Sequence, residues 1–263
     1  MLAQGRPSVY HDGVVARPNA GEHLQTRGCA MSRKEAAMGN LARVLGIVAF
    51  VLAVALVCAG VQKSSAQEKE AIALFNGKDF TGWRMFVDPK ANVKPQDIFQ
   101  VQDGVIRVDG SVNGYLITEK EYGDYELNLE WRWGSKVTRG RNSGVFVHVS
   151  GPDKIWPKGV EAQLMSGHAG DFWLVDGFKL TVDSSRRDPK IDRHYFRTKD
   201  NVENPIGQWN RYKITCKGDT VCLEINGQPV NEGTGAERTK GKILLQSEGA
   251  EIFFRNIYLK PLQ

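Results

Sequence analysis

The 263 residues include 35 Lys/Arg and 30 Asp/Glu, a formal net charge of +5, and 41% are hydrophobic. Seven of the basic and three of the acidic residues fall within residues 1–66, so residues 67–263 hold 28 basic and 27 acidic side chains and are nearly neutral. Nothing in that balance suggests the clustered basic surface of a nucleic-acid-binding domain, and the segment is long enough for one domain with a sizeable core.

In chain order, residues 1–43 are polar and show no sustained periodicity. Val44 to Val61 then runs for 18 residues without a charge, preceded by Arg33, Lys34 and Arg43 and followed by the small residues of "SSAQ". A positive segment, an apolar run and a small-residue processing site make a secretory signal, with cleavage expected after Ala66. A single membrane anchor is the alternative, since about 18 apolar residues can just span a bilayer. The Ala-rich run and its processing site favour the signal. Cys58 suits a lipoprotein poorly, because Leu56 and Val57 stand where a small residue is expected. Met31 or Met38 is read as the true start. Residues 1–66 are thus an upstream extension and leader, and residues 67–263 form one domain that is secreted or periplasmic. Membrane contact is expected only through an uncleaved leader.

From residue 72 onward, short strands alternate with turn signals. "IFQVQDGVIRV" is two strands around Asp103-Gly104, a tight hairpin signal. "YELNLEWRW" puts Tyr125, Leu127, Leu129, Trp131 and Trp133 on one face and Glu126, Asn128, Glu130 and Arg132 on the other. "SGVFVHV" and "VEAQLM" follow. Asp183 to Pro205 is polar and turn-rich, and reads as a long loop over the sandwich. "RYKITCKGDTVCLEINGQPV" is two strands and an Asn226-Gly227 turn, and "GKILLQSEGAEIFFRNIYLKPL" closes the chain. No segment holds a helical stripe for three turns, so the pattern predicts an all-β sandwich. Cys216 shares a face with Tyr212 and Ile214, whereas Cys222 lies opposite Val221, Leu223 and Ile225, so no disulfide is expected across that hairpin.

Polar groups on non-core faces mark the candidate site. In "KGVEAQLMSGHAGDFWLVDG", Val160, Ala162 and Leu164 point one way, and Glu161 and Gln163 point the other. If this strand neighbours "LNLEWRW" and "RNSGVFVHV" in one sheet, then Glu130, Arg132, Asn142, His148, Glu161 and Gln163 form one polar floor. Phe146 and Met165 add apolar patches. Trp156, His168, Asp171, Phe172 and Trp173 would form walls in flanking loops. Aromatics beside carboxylates and amides suit a sugar, whose C–H face lies on a ring and whose hydroxyls need fixed donors and acceptors. Trp131 and Trp133 are assigned to packing, and Trp83 and Trp209 to the ends of the sandwich. No paired-His helix, CxxC or Asp-rich calcium loop is present. Asp171, His168, Glu161 and His148 could meet at a divalent cation, but their spacing does not demand one.

Five stretches in order, "LFNGKDFTGW", "NSGVFVHV", "GVEAQL", "NPIGQWNRYKITCKGDTVCLEINGQPVN" and "GKILLQSEGAEIFFRNIYLKPL", resemble the 3-keto-disaccharide hydrolase domain family across residues 72–262. The resemblance implies a two-sheet concanavalin-like jelly roll and a saccharide substrate already oxidised to a ketone at carbon 3. It further implies removal of the carbon 2 hydrogen, expulsion of the glycosidic oxygen and addition of water. Such a site needs a base, an enolate stabiliser and an acid for the leaving group. By face and motif position, Glu161 is the expected base or metal ligand. Gln163 orients the sugar, His148 and Arg132 serve the enolate or the leaving oxygen, and Glu130, Asn142, Trp156, His168, Asp171 and Trp173 complete the pocket. Two other readings stay open: a non-catalytic carbohydrate-binding module, and a conventional glycosidase with Glu130 and Glu161 as its acid and base.

Overall fold

The structure, a computed structural model, describes residues 70–262, so the leader expected over residues 1–66 lies outside the described residues. The strands are β1 (Ile72–Ala73), β2 (Trp83–Val87), β3 (Phe99–Gln102), β4 (Val105–Val108), β5 (Gly114–Thr118), β6 (Tyr122–Gly123) and the long β7 (Tyr125–Asn142). There follow β8 (Gly144–Ser150), β9 (Lys158–Gln163), β10 (Phe172–Val175), β11 (His194–Tyr195), β12 (Asn210–Lys217), β13 (Thr220–Ile225), β14 (Gln228–Gly233) and β15 (Lys240–Pro261). Only short helical turns interrupt them among the described residues, at Pro89–Ala91, Pro95–Ile98 and Ser184–Arg186.

All the strand pairs are antiparallel and form two layers. One sheet runs β2-β5-β15-β8-β9-β10-β11. The other runs β3-β4-β15-β7-β12-β13-β14, with β1 beside the end of β15. Strand β15 belongs to both layers. It changes sheet where its register with β7 shifts, around Glu248 to Ile252. Gly249 sits in that bend at φ +83°, and a Cβ there would lie 2.5 Å from the Gly140 carbonyl oxygen. Only glycine fits both the conformation and the gap. This is the all-β sandwich expected from the strand pattern, in the two-sheet jelly-roll form that the family resemblance implied.

The core follows from alternation. Leu127, Leu129, Trp131, Tyr212, Ile214, Leu223 and Phe254 of one sheet meet Val145, Val147, Val160, Ala162 and Leu245 of the other. A smaller cluster of Tyr115, Ile117, Phe146, Val149, Val175 and Leu244, flanked by Phe86 and Trp173, covers part of the far face of the β8–β9 sheet. That second cluster is why β8 is buried on both faces, and the open remainder of the face is where a ligand can enter. Cys216 faces Val221 and Cys222 faces Thr215, and both thiols are free. Two expectations need correction. A third strand, β14, follows the Asn226-Gly227 turn, and the Asp183–Pro205 loop contributes β11, which pairs with β10.

Candidate active site

Strand β9 carries the centre of the site. Its even positions go into the core, which leaves Glu161 and Gln163 on the far face. There they line a pocket of about 190 Å³ with Asn142, Trp156, Trp173, Val175, Arg193, Gln246 and Glu248. Pockets for drug-sized ligands occupy roughly 300–1,000 Å³, so this one has the scale of a single sugar ring. Trp156, 38% exposed, stands at its mouth.

Glu161 is 6% exposed. Its backbone pairs with Phe146 on one side and Trp173 on the other, both with apolar side chains. Burial therefore pushes its carboxyl up to about 8, the nearby Glu248 carboxylate adds to the rise, and Arg193 opposes it. A carboxyl that changes charge near neutrality is suited to moving a proton. Its position depends on an absence. A Cβ on Gly144 would lie 2.4 Å from Glu161 Oε1 and 2.8 Å from its Cγ, so the carboxyl rests in the space a side chain would fill. Gly144→Ala is accordingly expected to fold but to displace the carboxyl. A shift of about 1 Å from reacting geometry can cost on the order of 100-fold in rate, and steady-state assay beside a thermal melt checks both halves.

The other walls are held by ordinary chemistry. Gln163 Oε1 accepts from Leu164 N at 2.8 Å and Met165 N at 2.9 Å, which leaves its amide nitrogen as the free end. Trp173 stacks on His194 at 4.3 Å between centroids and lies under the Arg193 guanidinium at 4.8 Å. His194 Nε2 meets Asp171 Oδ2 and its Nδ1 meets Asp188 Oδ2, each at 2.9 Å. Two carboxylates facing both ring nitrogens require both to carry protons. Burial works against that charge, but the hydrogen bonds to Asp171 and Asp188 raise the His194 pKa overall. Asp171 also accepts from Arg197 N at 2.8 Å. It is thus a buried anchor behind the aromatic wall.

Of the ten sequence-predicted site residues, Glu161, Gln163, Asn142, Trp156 and Trp173 come together in the pocket. Glu130 and Arg132 do not. They lie on β7 in the opposite sheet, where Glu130 accepts from Arg255 Nε at 2.7 Å and Arg132 sits over Phe253 and Trp209. Asn142 is on the same strand, but up to roughly 40 Å further along at about 3.3 Å per residue, where β7 meets Glu248. Glu130 lines a larger cleft of about 620 Å³ on that other sheet, but two of its three acids are held in ion pairs, Glu130 by Arg255 and Glu224 by Lys213, and the third, Glu126, accepts from Asn128 Nδ2 at 2.9 Å. The alternative that pairs Glu130 with Glu161 as acid and base is not met, because the two residues lie in opposite sheets.

His148 is also misplaced by simple alternation. The β8–β9 register shifts after Val147, and His148 adopts φ +55°. Its ring ends against Phe178, fully buried, with neither nitrogen hydrogen-bonded. Burial, then Arg238, lowers its pKa to about 4. Folding therefore loses stability as pH falls below the unfolded value near 6.5, by about 3 kcal/mol at pH 4. His148→Phe should flatten that acid limb in urea titrations at pH 4 and 7. Asp171 stands behind the wall instead of at the rim, His168 is exposed outside the pocket, Phe172 is in the core, and Met165 is likewise exposed outside it.

Four lining residues were missed, the apolar Val175 and the polar Arg193, Gln246 and Glu248. Gln246 and Glu248 follow Leu244 on the outward positions of β15, so the alternation of "ILLQSEG" held the signal. Arg193 had none, because it belongs to an irregular loop whose route the sequence does not fix.

Comparison with known proteins gives the family. The profile of the 3-keto-alpha-glucoside-1,2-lyase-like domain matches residues 70–260. A 3-keto-disaccharide hydrolase of Bacteroides thetaiotaomicron is 27% identical over 237 residues, covering 73% of this chain and 78% of the relative. The crystal structure of a putative glycosyl hydrolase from Parabacteroides distasonis is also 27% identical, covering 73% of this chain and 94% of that one, with a TM-score of 0.54. Matched along nearly all of its described residues, the chain belongs to the 3-keto-alpha-glucoside-1,2-lyase-like family, a family of glycoside-cleaving enzymes.

Proposed function

We propose that this enzyme cleaves the glycosidic bond of 3-keto-disaccharides or other 3-keto-glycosides by elimination across carbons 1 and 2, followed by addition of water. The observation that carries the reading is Glu161, a buried carboxyl with a pKa of about 8, placed in a pocket for one sugar ring. A 3-ketone acidifies the hydrogen on carbon 2. The Glu161 carboxylate removes it, charge moves to the ketone oxygen, and the enolate expels the glycosidic oxygen, which leaves as the alcohol. The amides and Arg193 on the pocket wall are donors for that charge. The family description, a 1,2-lyase, and the name of the Bacteroides relative support the same chemistry.

A second reading is favoured by one observation. Glu161 and Glu248 share the pocket, and two carboxyl groups flanking a bond serve a conventional glycosidase. Purified residues 67–263, chelated and then assayed with and without divalent metal, separate the two. Release of sugar from a 3-keto-disaccharide but not from its unoxidised parent is expected. Equal cleavage of the parent would favour the two-carboxylate mechanism, and sugar binding without cleavage of either would leave a binding module.

A further inference from the structure

Gln246 is a second anomaly of the pocket, and neither Glu161's proton chemistry nor the fold explains it. It is 2% exposed, and neither its Nε2 nor its Oε1 has a hydrogen-bond partner. Burying a polar group without a partner forfeits its hydration with nothing in return, so a native fold rarely keeps a whole amide in that state. The backbone beneath it is well fixed. Ser143 Oγ donates to the Gln246 carbonyl at 2.8 Å, and Tyr115 is its strand partner. A fixed backbone under a partnerless amide that lines the pocket means the partners belong to the ligand.

The register says which part of the ligand. Leu244 pairs with Phe146 and Leu245 with Val145, and continuing that register sets Gln246 beside Gly144. Gly144 in turn pairs with Gln163. The Glu161 carboxyl lies over Gly144, in the space a Cβ would occupy. Base and amide are therefore neighbours at about one strand spacing, roughly 4.8 Å. Whichever way the amide is turned, it offers one donor edge and one acceptor edge. A carbon acid beside its own carbonyl matches that spacing: the hydrogen on carbon 2 faces the base, and the ketone oxygen, one atom further along, faces the donor. The acceptor edge is left for the hydroxyl on the next carbon.

We propose that Gln246 is a catalytic residue whose amide N–H donates to the ketone oxygen of the substrate and to the enolate formed there, while its carbonyl accepts from the adjacent hydroxyl. The inference rests on the elimination reading above. As Glu161 takes the proton, the C2–H electron pair becomes the C2=C3 bond and the carbonyl π pair moves to oxygen. When the C1–O bond breaks, the carbonyl re-forms, a C1=C2 bond appears, and the leaving oxygen takes the proton from the Glu161 carboxyl, which returns to the carboxylate. The Gln246 N–H is strongest at the enolate, so it acts on the rate more than on ground-state binding.

The test is Gln246→Leu assayed on a 3-keto-disaccharide beside wild type. Loss of one such donor should lower kcat by about 100- to 1,000-fold with little change in KM. The melting temperature should hold or rise, because two unsatisfied polar atoms are removed. A kcat within a few-fold of wild type, or an effect confined to KM, overturns the assignment. If the Leu variant does not fold, Gln246→Glu decides. It keeps the shape but sets an acceptor against the forming charge, so a kcat loss that deepens as pH rises supports the assignment, and wild-type kcat refutes it. Wild type inert towards the ketosugar would remove the elimination reading and this inference together, whereas active wild type with an unaffected variant removes this inference alone.

Discussion

Glu161→Gln should abolish cleavage of a 3-keto-disaccharide while making the protein more stable. A positioned general base contributes about 100- to 10,000-fold, and glutamine keeps the shape of the protonated acid but cannot accept the proton. The stability gain follows from the sign of the pKa shift. The folded value is about 8 against an ordinary value of 4.5. Between those values the folded chain holds one proton more than the unfolded chain, so stability falls as pH rises through that window. The accumulated cost is about 4 kcal/mol by pH 8. Glutamine removes that loss. Thermal melts at pH 5 and 8 should therefore show little difference between the two proteins at the lower pH and a clear advantage of the variant at the higher. Wild-type kcat/KM should rise through about pH 8 as Glu161 becomes the base. An active variant would remove Glu161 from the chemistry, and an inactive but destabilised one would show that its burial is compensated.

Asp171→Ala is expected to cause the largest loss of stability. Asp171 is 1% exposed and serves His194 Nε2, the Arg197 amide and, at 3.3 Å, His168 Nδ1. Its loss leaves the buried His194 imidazolium with Asp188 alone and an amide N–H without an acceptor. Breaking one side of a buried ion pair typically costs 3–5 kcal/mol, and in a domain of this size each kcal/mol moves Tm by roughly 2–4 °C. The His194 contribution is complete below the unfolded value of 6.5 and is lost as pH rises through its higher folded pKa. The variant's deficit should therefore be greatest at mildly acid pH and shrink at alkaline pH. Trp173, which stacks on His194, would lose its backing, so KM for the sugar should rise as well. A melting curve unchanged from wild type would show that the Asp171 cluster supports nothing.

Much of the fold could be read from alternation because a strand that buries one face must repeat every second residue. Leu127 to Trp133, Val160 to Leu164 and the opposed faces of Cys216 and Cys222 all follow from that rule. Half of the site followed as well, since Glu161 and Gln163 are simply the non-core positions of β9. The failures have physical causes. Glu130 and Arg132 were placed by assuming that strands close in sequence share a sheet. Strand β15, arriving from the end of the chain, inserts between β7 and β8 and sends them to different layers. His148 failed because a register shift breaks the period of two. Arg193 arrives on a loop whose path depends on its pairing with β10, a tertiary contact with no local signal.

The central claim is that the glycosidic bond breaks through loss of the carbon 2 hydrogen. The most direct test is a 3-keto-disaccharide carrying deuterium at carbon 2, cleaved in ordinary water and read by mass spectrometry of the released ketosugar, against the slower uncatalysed exchange. Elimination predicts that the released sugar has lost the label, whether it is collected unsaturated or after water has added. A product that keeps its deuterium at carbon 2 would mean that the bond was broken by direct displacement, and would contradict the role of Glu161 as the base.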